Sequence, residues 1–371
     1  MSKLFTSVQV GPMVFSHRVV MAPLTRMRSE QPSDVPGDLM VEYYGQRASE
    51  GGLIISEATT VAATGRGYLG APGIYDGAHI GGWRKVTDAV HAKGGKMFLQ
   101  LWHVGRTAHV DLTGGATPVS ASVTPYEGVA FTHNGMVPVS PNRALEIGVI
   151  PGIVEKFRKG AERARAAGFD GVEVHGGNGY LIDQFLQDGS NKRTDSYGGP
   201  PENRARLLME IIHAAATVWA YERVATRISP GTKFNGMSDS NPARTFDYVA
   251  KALAPLGLAY LHIIEPRVIG SQEAGEGLPP VAAANLRLFF KGTIIAAGGF
   301  DAKSAEEIVV KGDADLVAFG RHFIANPDLP KRIMLGLPLN PYDRSTFYGG
   351  DAHGYTDYPF YGESKFATRN P

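Results

Sequence analysis

The chain has 371 residues, 43% of them hydrophobic, and its 37 Lys and Arg residues nearly balance its 36 Asp and Glu residues. This length fits either two ordinary domains or one large α/β barrel. The near-neutral charge, without a run of like charges, argues against nucleic acid or an anionic membrane as partner. The absence of cysteine excludes disulfides, cysteine nucleophiles and cysteine-ligated iron–sulfur clusters.

No segment approaches the roughly 18 consecutive apolar residues that a membrane-spanning helix needs. The first fifteen residues mix Lys3, Gln9 and Pro12 with apolar residues, which is not typical of a targeting segment. We therefore expect a cytoplasmic protein that does not associate with membranes.

Short apolar runs rich in β-branched residues recur along the chain and predict eight strands. Most runs are continuous rather than alternating, which is typical of a parallel sheet covered on both faces. The predicted strands are Arg18–Ala22, Leu53–Ser56, Lys96–Leu101, Gly171–His175, Val224–Ser229, Ala259–Ile264, Thr293–Ala297 and Leu316–Phe319.

Longer amphipathic stretches separate these strands. In one of them Ile153, Phe157, Ala161 and Ala164 share a stripe with the 3.6-residue period of a helix that lies on a sheet. Predicted helices include Ile80–Lys93, Ile153–Ala167, Glu202–Trp219 and Ala302–Lys311. Strands that alternate with helices predict a single (β/α)8 TIM barrel, and a doubly wound open sheet is the alternative.

Two segments are longer than simple connections. Residues 103–148, after the third strand, predict a lid or hairpin inserted over the active site. The tail, residues 338–371, is rich in aromatic residues and glycine, and we expect it either to dock on the barrel or to form a partner interface. We expect one domain over residues 1–371.

Ligands of such barrels bind at the C-terminal ends of the strands. The seventh predicted strand is followed by Gly298 and Gly299, and the eighth by Gly320 and Arg321. Backbone N–H groups beside glycine can approach an anion closely, and an arginine offers two parallel hydrogen bonds to a phosphate. These strand ends predict a site for a phosphorylated ligand.

Gln100 and Arg227 lie at the ends of the third and fifth predicted strands. An amide can pair with the edge of a planar heterocycle, and a guanidinium stabilises negative charge on it. Phosphate, heterocycle and charge together favour flavin mononucleotide (FMN). No strand end offers a Schiff-base lysine, and the first strand lacks the paired histidines of a metal-dependent hydrolase, so we expect no metal.

Three candidate catalytic residues follow the fourth predicted strand. The spacing of His175 and Asn178 lets two neutral donors bind one carbonyl or nitro oxygen. Tyr180 can deliver a proton from the same side because a tyrosine is protonated at neutral pH. The alternative for Tyr180 is a purely packed aromatic ring.

These residues lie within motifs of a known family. The chain resembles the Old Yellow Enzyme family of FMN-dependent ene-reductases, in the classical bacterial branch that contains the pentaerythritol tetranitrate, N-ethylmaleimide and morphinone reductases. The resemblance covers nearly the whole chain. Its motifs are Met21-Ala22-Pro23-Leu24-Thr25-Arg26, Gln100-Leu101-Trp102-His103, His175 to Tyr180, and Ala318-Phe319-Gly320-Arg321.

The resemblance implies a role for each matching residue. Thr25 matches the position that hydrogen-bonds flavin O4. His175 and Asn178 match the pair that binds the activating oxygen of the substrate, and Tyr180 matches the proton donor. Positions implied to contact FMN are Pro23, Thr25, Ala58, Gln100, Arg227, Gly298, Gly299, Gly320 and Arg321, and those implied to line the substrate cavity are Tyr68, Trp102 and Tyr348.

One departure from the family lies beside the candidate catalytic residues. Gly176-Gly177 stands where a pair that contains alanine is more usual, which predicts a looser loop before Asn178.

The resemblance implies an NAD(P)H-dependent reductase with non-covalent FMN that reduces the C=C bond of α,β-unsaturated carbonyl or nitro compounds in two alternating half-reactions. Its partners would be small molecules, and it would be a monomer or homodimer. A related iron–sulfur dienoyl reductase is excluded because the chain has no cysteine. The alternative from another class is a flavin- or phosphate-binding barrel without turnover. The sequence does not decide between NADPH and NADH.

Overall fold

The computed structural model describes residues 2–269, 272–273 and 281–363. The end of the predicted tail, residues 364–371, lies outside these described residues. Each barrel strand pairs in parallel with the next, and the eighth pairs with the first. The sheet is therefore closed, which confirms the predicted barrel and excludes the alternative of an open sheet. The strands are β1 (Val19–Met21), β2 (Leu53–Ile55), β3 (Lys96–Trp102), β4 (Gly171–His175), β5 (Val224–Ile228), β6 (Leu261–Ile264), β7 (Ile294–Ala297) and β8 (Leu316–Phe319).

The observed strands lie where the apolar runs predicted them: the fourth and eighth match at both ends, and the ends of the others differ by no more than two residues. The sixth begins at Leu261 rather than Ala259, and the fifth ends at Ile228 rather than Ser229. Ser229 lies just beyond the fifth strand, where its hydroxyl accepts a hydrogen bond from the backbone N–H of Asn178. The loops that carry polar residues therefore begin directly at the strand ends.

Helices surround the barrel and alternate with its strands. The predicted helix Glu202–Trp219 is two helices that meet at Ala205, and the stripe of Ile153 and Phe157 is buried as expected. The α-helices of the described residues are α1 (Asp38–Arg47), α2 (Ala78–His91), α3 (Ile150–Ala166), α4 (Leu181–Leu186), α5 (Pro201–Arg204), α6 (Arg206–Trp219), α7 (Pro242–Leu253), α8 (Ala283–Leu286), α9 (Ala302–Lys311), α10 (Arg321–Ala325) and α11 (Leu329–Leu335).

The interior of the barrel changes from apolar to polar along the strands. Toward the N-terminal ends, side chains such as Phe98 and Leu316 form an apolar cluster. Toward the C-terminal ends, the strand register places Gln100 beside Glu173, and His175 beside Arg227. Polar chemistry is therefore concentrated at the C-terminal end, where barrel sites form.

The insertion after β3 contains an antiparallel hairpin of Val129–Thr132 with Gly135–Pro138, which confirms the predicted hairpin. The short strands Val119–Ser120 and Arg143–Ala144 pair at its base. A further antiparallel pair, Val8–Val10 with Met13–Phe15, precedes the barrel.

The described part of the tail docks on the barrel, one of the two expected arrangements. The ring of Tyr355 stacks on Tyr43 of α1 with centroids 4.0 Å apart. Arg26, just after β1, donates to the backbone oxygens of Phe347 and Gly354 at 2.9 and 2.8 Å. Among the described helices, none has the length and apolar character to cross a bilayer.

Candidate active site

A cavity of about 510 Å³ opens at the C-terminal end of the barrel, under the hairpin and the tail. Four of the predicted site residues are buried immediately behind its lining: Ala58, Gln100, Trp102 and His175. The other predicted residues line the cavity: Pro23, Thr25, Tyr68, Asn178, Tyr180, Arg227, Gly298, Gly299, Gly320, Arg321 and Tyr348.

One end of the cavity is suited to a phosphate group. Gly298 and Gly299, after β7, have φ values of +127° and +66°, which favour glycine. A Cβ on Gly299 would stand 3.4 Å from Val268 and 3.8 Å from Nη2 of Arg321. The missing side chains therefore leave backbone that an anion can approach beside a guanidinium group, an arrangement that fits the phosphate of FMN.

The opposite end of the cavity is suited to a flavin ring. Arg227 of β5 reaches the cavity, and its buried Nε has no hydrogen-bond partner within the described part of the chain. Gln100 of β3 donates from Nε2 to Oε1 of Glu173 at 2.6 Å. Burial lowers the pKa of Arg227, while the charge of Glu173 raises it again. A cation and an oriented amide therefore lie together at this end.

His175 ends β4 and is 3% exposed. Burial, and then the charge of Arg227, lowers the pKa of His175 well below its usual value of 6.5. The imidazole is therefore neutral at physiological pH. Its Nδ1 makes no hydrogen bond to any described residue, so this histidine is not accounted for by structural hydrogen bonding alone.

Asn178 has a φ of +58°, a conformation that asparagine tolerates better than most residues. Its N–H donates to Oγ of Ser229 at 2.6 Å, and its carbonyl accepts from Nδ2 of Asn235 at 2.8 Å. The two hydrogen bonds hold the turn so that Asn178 lines the cavity.

The glycines on either side of Asn178, Gly177 and Gly179, also fit closely against their surroundings. Gly179 donates its N–H to Oδ2 of Asp183 at 2.8 Å, and burial raises the pKa of Asp183 to about 7. A Cβ on Gly177 would stand 2.8 Å from Oγ of Ser229. Glycine at 177 thus leaves the space that Ser229 uses, and the loop that the sequence predicted to be loose is hydrogen-bonded on both sides.

Tyr180 is enclosed by aromatic rings. Its hydroxyl oxygen lies 3.2 Å from that of Tyr68, and its ring meets Trp102 edge to face at 5.1 Å. Its ring centroid lies 5.3 Å from that of His175. Burial raises the pKa of Tyr180 well above its usual value of 10. The phenol is therefore a protonated donor, positioned next to His175 and Asn178.

The structure adds cavity residues that the sequence did not indicate. Phe131 of the hairpin lies 6.0 Å from Tyr348 of the tail and 5.4 Å from Tyr68, measured between ring centroids. The sequence around Phe131 carries no motif that indicates a cavity residue, because only tertiary contacts bring it to the site. The added lining residues include Tyr126, Glu127, Val129, Phe131, Phe234, Asn235, His322 and Phe347.

Two further polar residues, Glu173 and His262, are completely buried in the barrel interior. The sequence could have indicated Glu173. It lies two residues before His175 in β4, and alternate residues of a strand face the same side, so both face the barrel interior.

Comparisons with known proteins agree with this architecture. Residues 3–340 match the model of the NADH:flavin oxidoreductase / NADH oxidase family, whose designation includes FMN. The chain is 46% identical to flavin oxidoreductase hxnT of Emericella nidulans over 96% of this chain and 97% of that protein. It is also 46% identical to 12-oxophytodienoate reductase 1 of Oryza sativa subsp. japonica, over 96% and 93% of the two chains.

Solved structures show the same similarity. Morphinone reductase superposes with a TM-score of 0.91 and 49% identity over 97% of this chain and 96% of that one. The Old Yellow Enzyme homologue from Zymomonas mobilis superposes with a TM-score of 0.92 and 40% identity over 96% and 99%. The resemblance to Old Yellow Enzymes is confirmed, and the chain belongs to the NADH:flavin oxidoreductase / NADH oxidase family of FMN-dependent oxidoreductases.

Proposed function

We propose that this protein is an ene-reductase that reduces the C=C bond of α,β-unsaturated carbonyl or nitro compounds with electrons from NADH or NADPH. The observation that carries the proposal is that Tyr180 and Asn178 line a cavity whose strand ends fit FMN, with the ring of His175 directly behind them, 5.3 Å from that of Tyr180. The proposed unit is the whole barrel with its hairpin and tail.

The residues that would hold FMN are those at the ends of the strands. Gly298, Gly299, Gly320 and Arg321 would bind the phosphate, while Pro23, Thr25, Ala58, Gln100 and Arg227 would contact the ring. Bound FMN supplies hydride transfer from the nicotinamide to the β carbon of the substrate. Arg227 contributes by stabilising negative charge at the ring.

His175 and Asn178 bind the carbonyl or nitro oxygen of the substrate. Both are neutral donors, because the lowered pKa of His175 keeps its imidazole uncharged. Their hydrogen bonds strengthen as negative charge develops on that oxygen, which is how preorganised donors accelerate a reaction. The hydrogen-bonded turn around Asn178 prevents the donor from moving away as the charge forms.

Tyr180 donates a proton to the α carbon of the substrate. Its raised pKa keeps the phenol protonated until the carbanion-like α carbon needs the proton. The hydroxyl of Tyr68 fixes the position of the phenol, and Trp102 packs against its ring. Tyr68 and Tyr348 form walls against which the substrate lies, with Trp102 stacked behind Tyr68, and one cavity serves the nicotinamide and the substrate in turn.

The test is an anaerobic titration of the purified yellow protein with NADH and, separately, with NADPH. We expect at least one of them to bleach the flavin absorbance, and 2-cyclohexenone to restore it. Protein that binds FMN but is not bleached by either nicotinamide would support a flavin-binding barrel without turnover. Bleaching that cyclohexenone does not reverse would exclude enones as the substrate class.

A further inference from the structure

A carboxylate that none of the proposed steps uses is buried below the flavin end of the cavity. Both oxygens of Glu173 have partners: Oε1 accepts from Nε2 of Gln100 at 2.6 Å, and Oε2 lies 2.8 Å from Nδ1 of His262. Glu173 and His262 are each 0% exposed. Burying a carboxylate so completely is costly unless it is hydrogen-bonded and faces a compensating charge.

The compensating charge is Arg227. Burial lowers the pKa of His262; the charge of Glu173 raises it and that of Arg227 lowers it, and the net shift is downward, so the imidazole is neutral. A carboxylate only accepts hydrogen bonds, so neutral His262 carries its proton on Nδ1 and donates it to Glu173. Burial alone would raise the pKa of Glu173, but His262, Arg227 and Gln100 outweigh burial and lower it. The floor of the site therefore holds one negative group below one positive group.

The same carboxylate determines how Gln100 is oriented. Because Glu173 accepts, the NH2 group of Gln100 faces it, and the amide oxygen Oε1 is left as the acceptor for a ligand. A neutral partner that both donates and accepts would allow either orientation of the amide.

We infer that Glu173 is a positioning residue of the flavin site, which orients Gln100 and offsets the charge of Arg227, and thereby lowers the reduction potential of bound FMN. The inference rests on the cofactor site described above. Its sign follows from electrostatics: reduction adds negative charge to the ring, Arg227 favours that charge, and a carboxylate below opposes it.

The test compares midpoint potentials of purified holoproteins, measured anaerobically by spectroscopic titration at pH 7. Glu173→Gln keeps the shape and removes the charge. We expect this variant to favour reduced over oxidised FMN about tenfold more than the parent protein does. That factor corresponds to a midpoint potential higher by about 30 mV for a two-electron couple. His262→Gln, the matched control, keeps the carboxylate and should leave the potential close to that of the parent.

Glu173→Met provides a second neutral variant, which removes the hydrogen-bond acceptor together with the charge. It should shift the potential in the same direction. An unchanged or lowered potential in a folded neutral variant would overturn the inference, as would an equal rise in His262→Gln. Failure of both neutral variants to fold would also overturn it, because Glu173 would then be structural. A parent protein that fails to bind FMN, or to be reduced by a nicotinamide, would instead refute the function proposed above.

Discussion

The floor of the cavity and its cover are built in different ways. The floor consists of strand ends that carry Gln100, Glu173, His175 and Arg227, all buried. The cover consists of the hairpin and the tail, and much of it faces solvent: Met136 is 67% exposed and Tyr348 is 47% exposed.

The difference follows from the interactions that hold each part. In the floor, buried Glu173 holds Gln100 and His262 by hydrogen bonds, which have narrow geometry. The cover is held near the cavity mainly by ring contacts such as that of Phe131 with Tyr348. Ring contacts tolerate displacement. We therefore expect changes in the floor to alter rates, and changes in the cover to alter substrate affinity.

The largest effect is expected for Tyr180→Phe, which keeps the ring and removes the phenolic proton. General acid catalysis contributes about 10²- to 10⁴-fold, so reoxidation of the reduced protein by 2-cyclohexenone should slow by a factor in that range. Reduction by NADH or NADPH should be nearly unchanged, because it needs no proton from Tyr180. Stopped-flow absorbance of the two half-reactions provides the measurement. Equal slowing of both half-reactions would show that Tyr180 is a packing residue.

His175→Ala removes one of the two proposed donors to the substrate oxygen. Loss of one such donor costs on the order of 10²- to 10³-fold in rate, and we expect that loss in enone reduction. Asn178→His is the matched variant, since a histidine at this position still offers a donor, and it should be milder. Steady-state rates with cyclohexenone compare the two. If Asn178→His were as damaging as His175→Ala, the two residues would not share one oxygen.

Acid should weaken the fold through the buried, neutral histidines His103 and His175, which lie at the C-terminal ends of the third and fourth strands. Burial lowers the pKa of His103 to about 3, and that of His175 also lies well below 6.5. Each contributes stability that is present above pH 6.5 and lost as the pH falls toward its folded pKa, by about 1.4 kcal/mol per pH unit. Asp183, with its pKa raised to about 7, has the opposite sign and offsets part of this loss.

Denaturant unfolding at pH 6 and pH 5 should therefore give a lower free energy of unfolding at pH 5. His103→Gln should show a smaller difference between the two pH values. An equal difference in the parent protein and in His103→Gln would mean that His103 is already protonated in the folded protein.

Ser229→Ala should have a smaller effect on rate, because it removes the acceptor of the Asn178 N–H group and a long hydrogen bond of 3.4 Å to Asp183, but no group that contacts the substrate. A hydrogen bond of this kind is worth about 1 kcal/mol, which predicts roughly a five- to tenfold slower reoxidation by enone. Ser238→Ala, an exposed serine of the same connection after β5, is the control and should react like the parent protein. No difference between the two variants would show that the turn keeps its shape without Ser229.

The smallest effect is expected in the cover. Tyr348→Ala removes a ring that contacts Phe131, and aromatic pairs contribute about 0.5–1.5 kcal/mol. We expect KM for bulky enones to change about two- to tenfold while kcat for cyclohexenone stays close to that of the parent. A large fall in kcat would place Tyr348 among the reacting groups and would break the distinction between floor and cover.

The sequence allowed the barrel and much of the floor to be predicted, for a physical reason. Strands buried on both faces need continuous apolar runs, and such runs can be recognised in the amino-acid sequence. The polar residues near their C-terminal ends, such as Gln100 and Arg227, then meet at one end because all barrel strands are parallel. The family motifs added the expected roles of Thr25 and Tyr68.

Other features depend on contacts between distant segments and have no local pattern. Phe131 and Tyr348 approach each other from segments more than two hundred residues apart, and neither belongs to a periodic run. The role of Ser229 depends on the contact of its hydroxyl with the N–H group of Asn178, which lies on a different strand connection. Glu173 was visible as a charged residue in an apolar strand, but its partner His262 lies 89 positions away.

The central claim is that this cavity transfers hydride from a nicotinamide to the C=C bond of an enone. The most direct test is turnover of 2-cyclohexenone with NADH, or with NADPH if that is the active donor, in which both hydrogens on C4 of the nicotinamide are replaced by deuterium. The product is then analysed by mass spectrometry and NMR. We predict cyclohexanone with deuterium at the β carbon and the carbonyl group intact. Formation of the allylic alcohol, or of cyclohexanone without deuterium at the β carbon, would contradict this account.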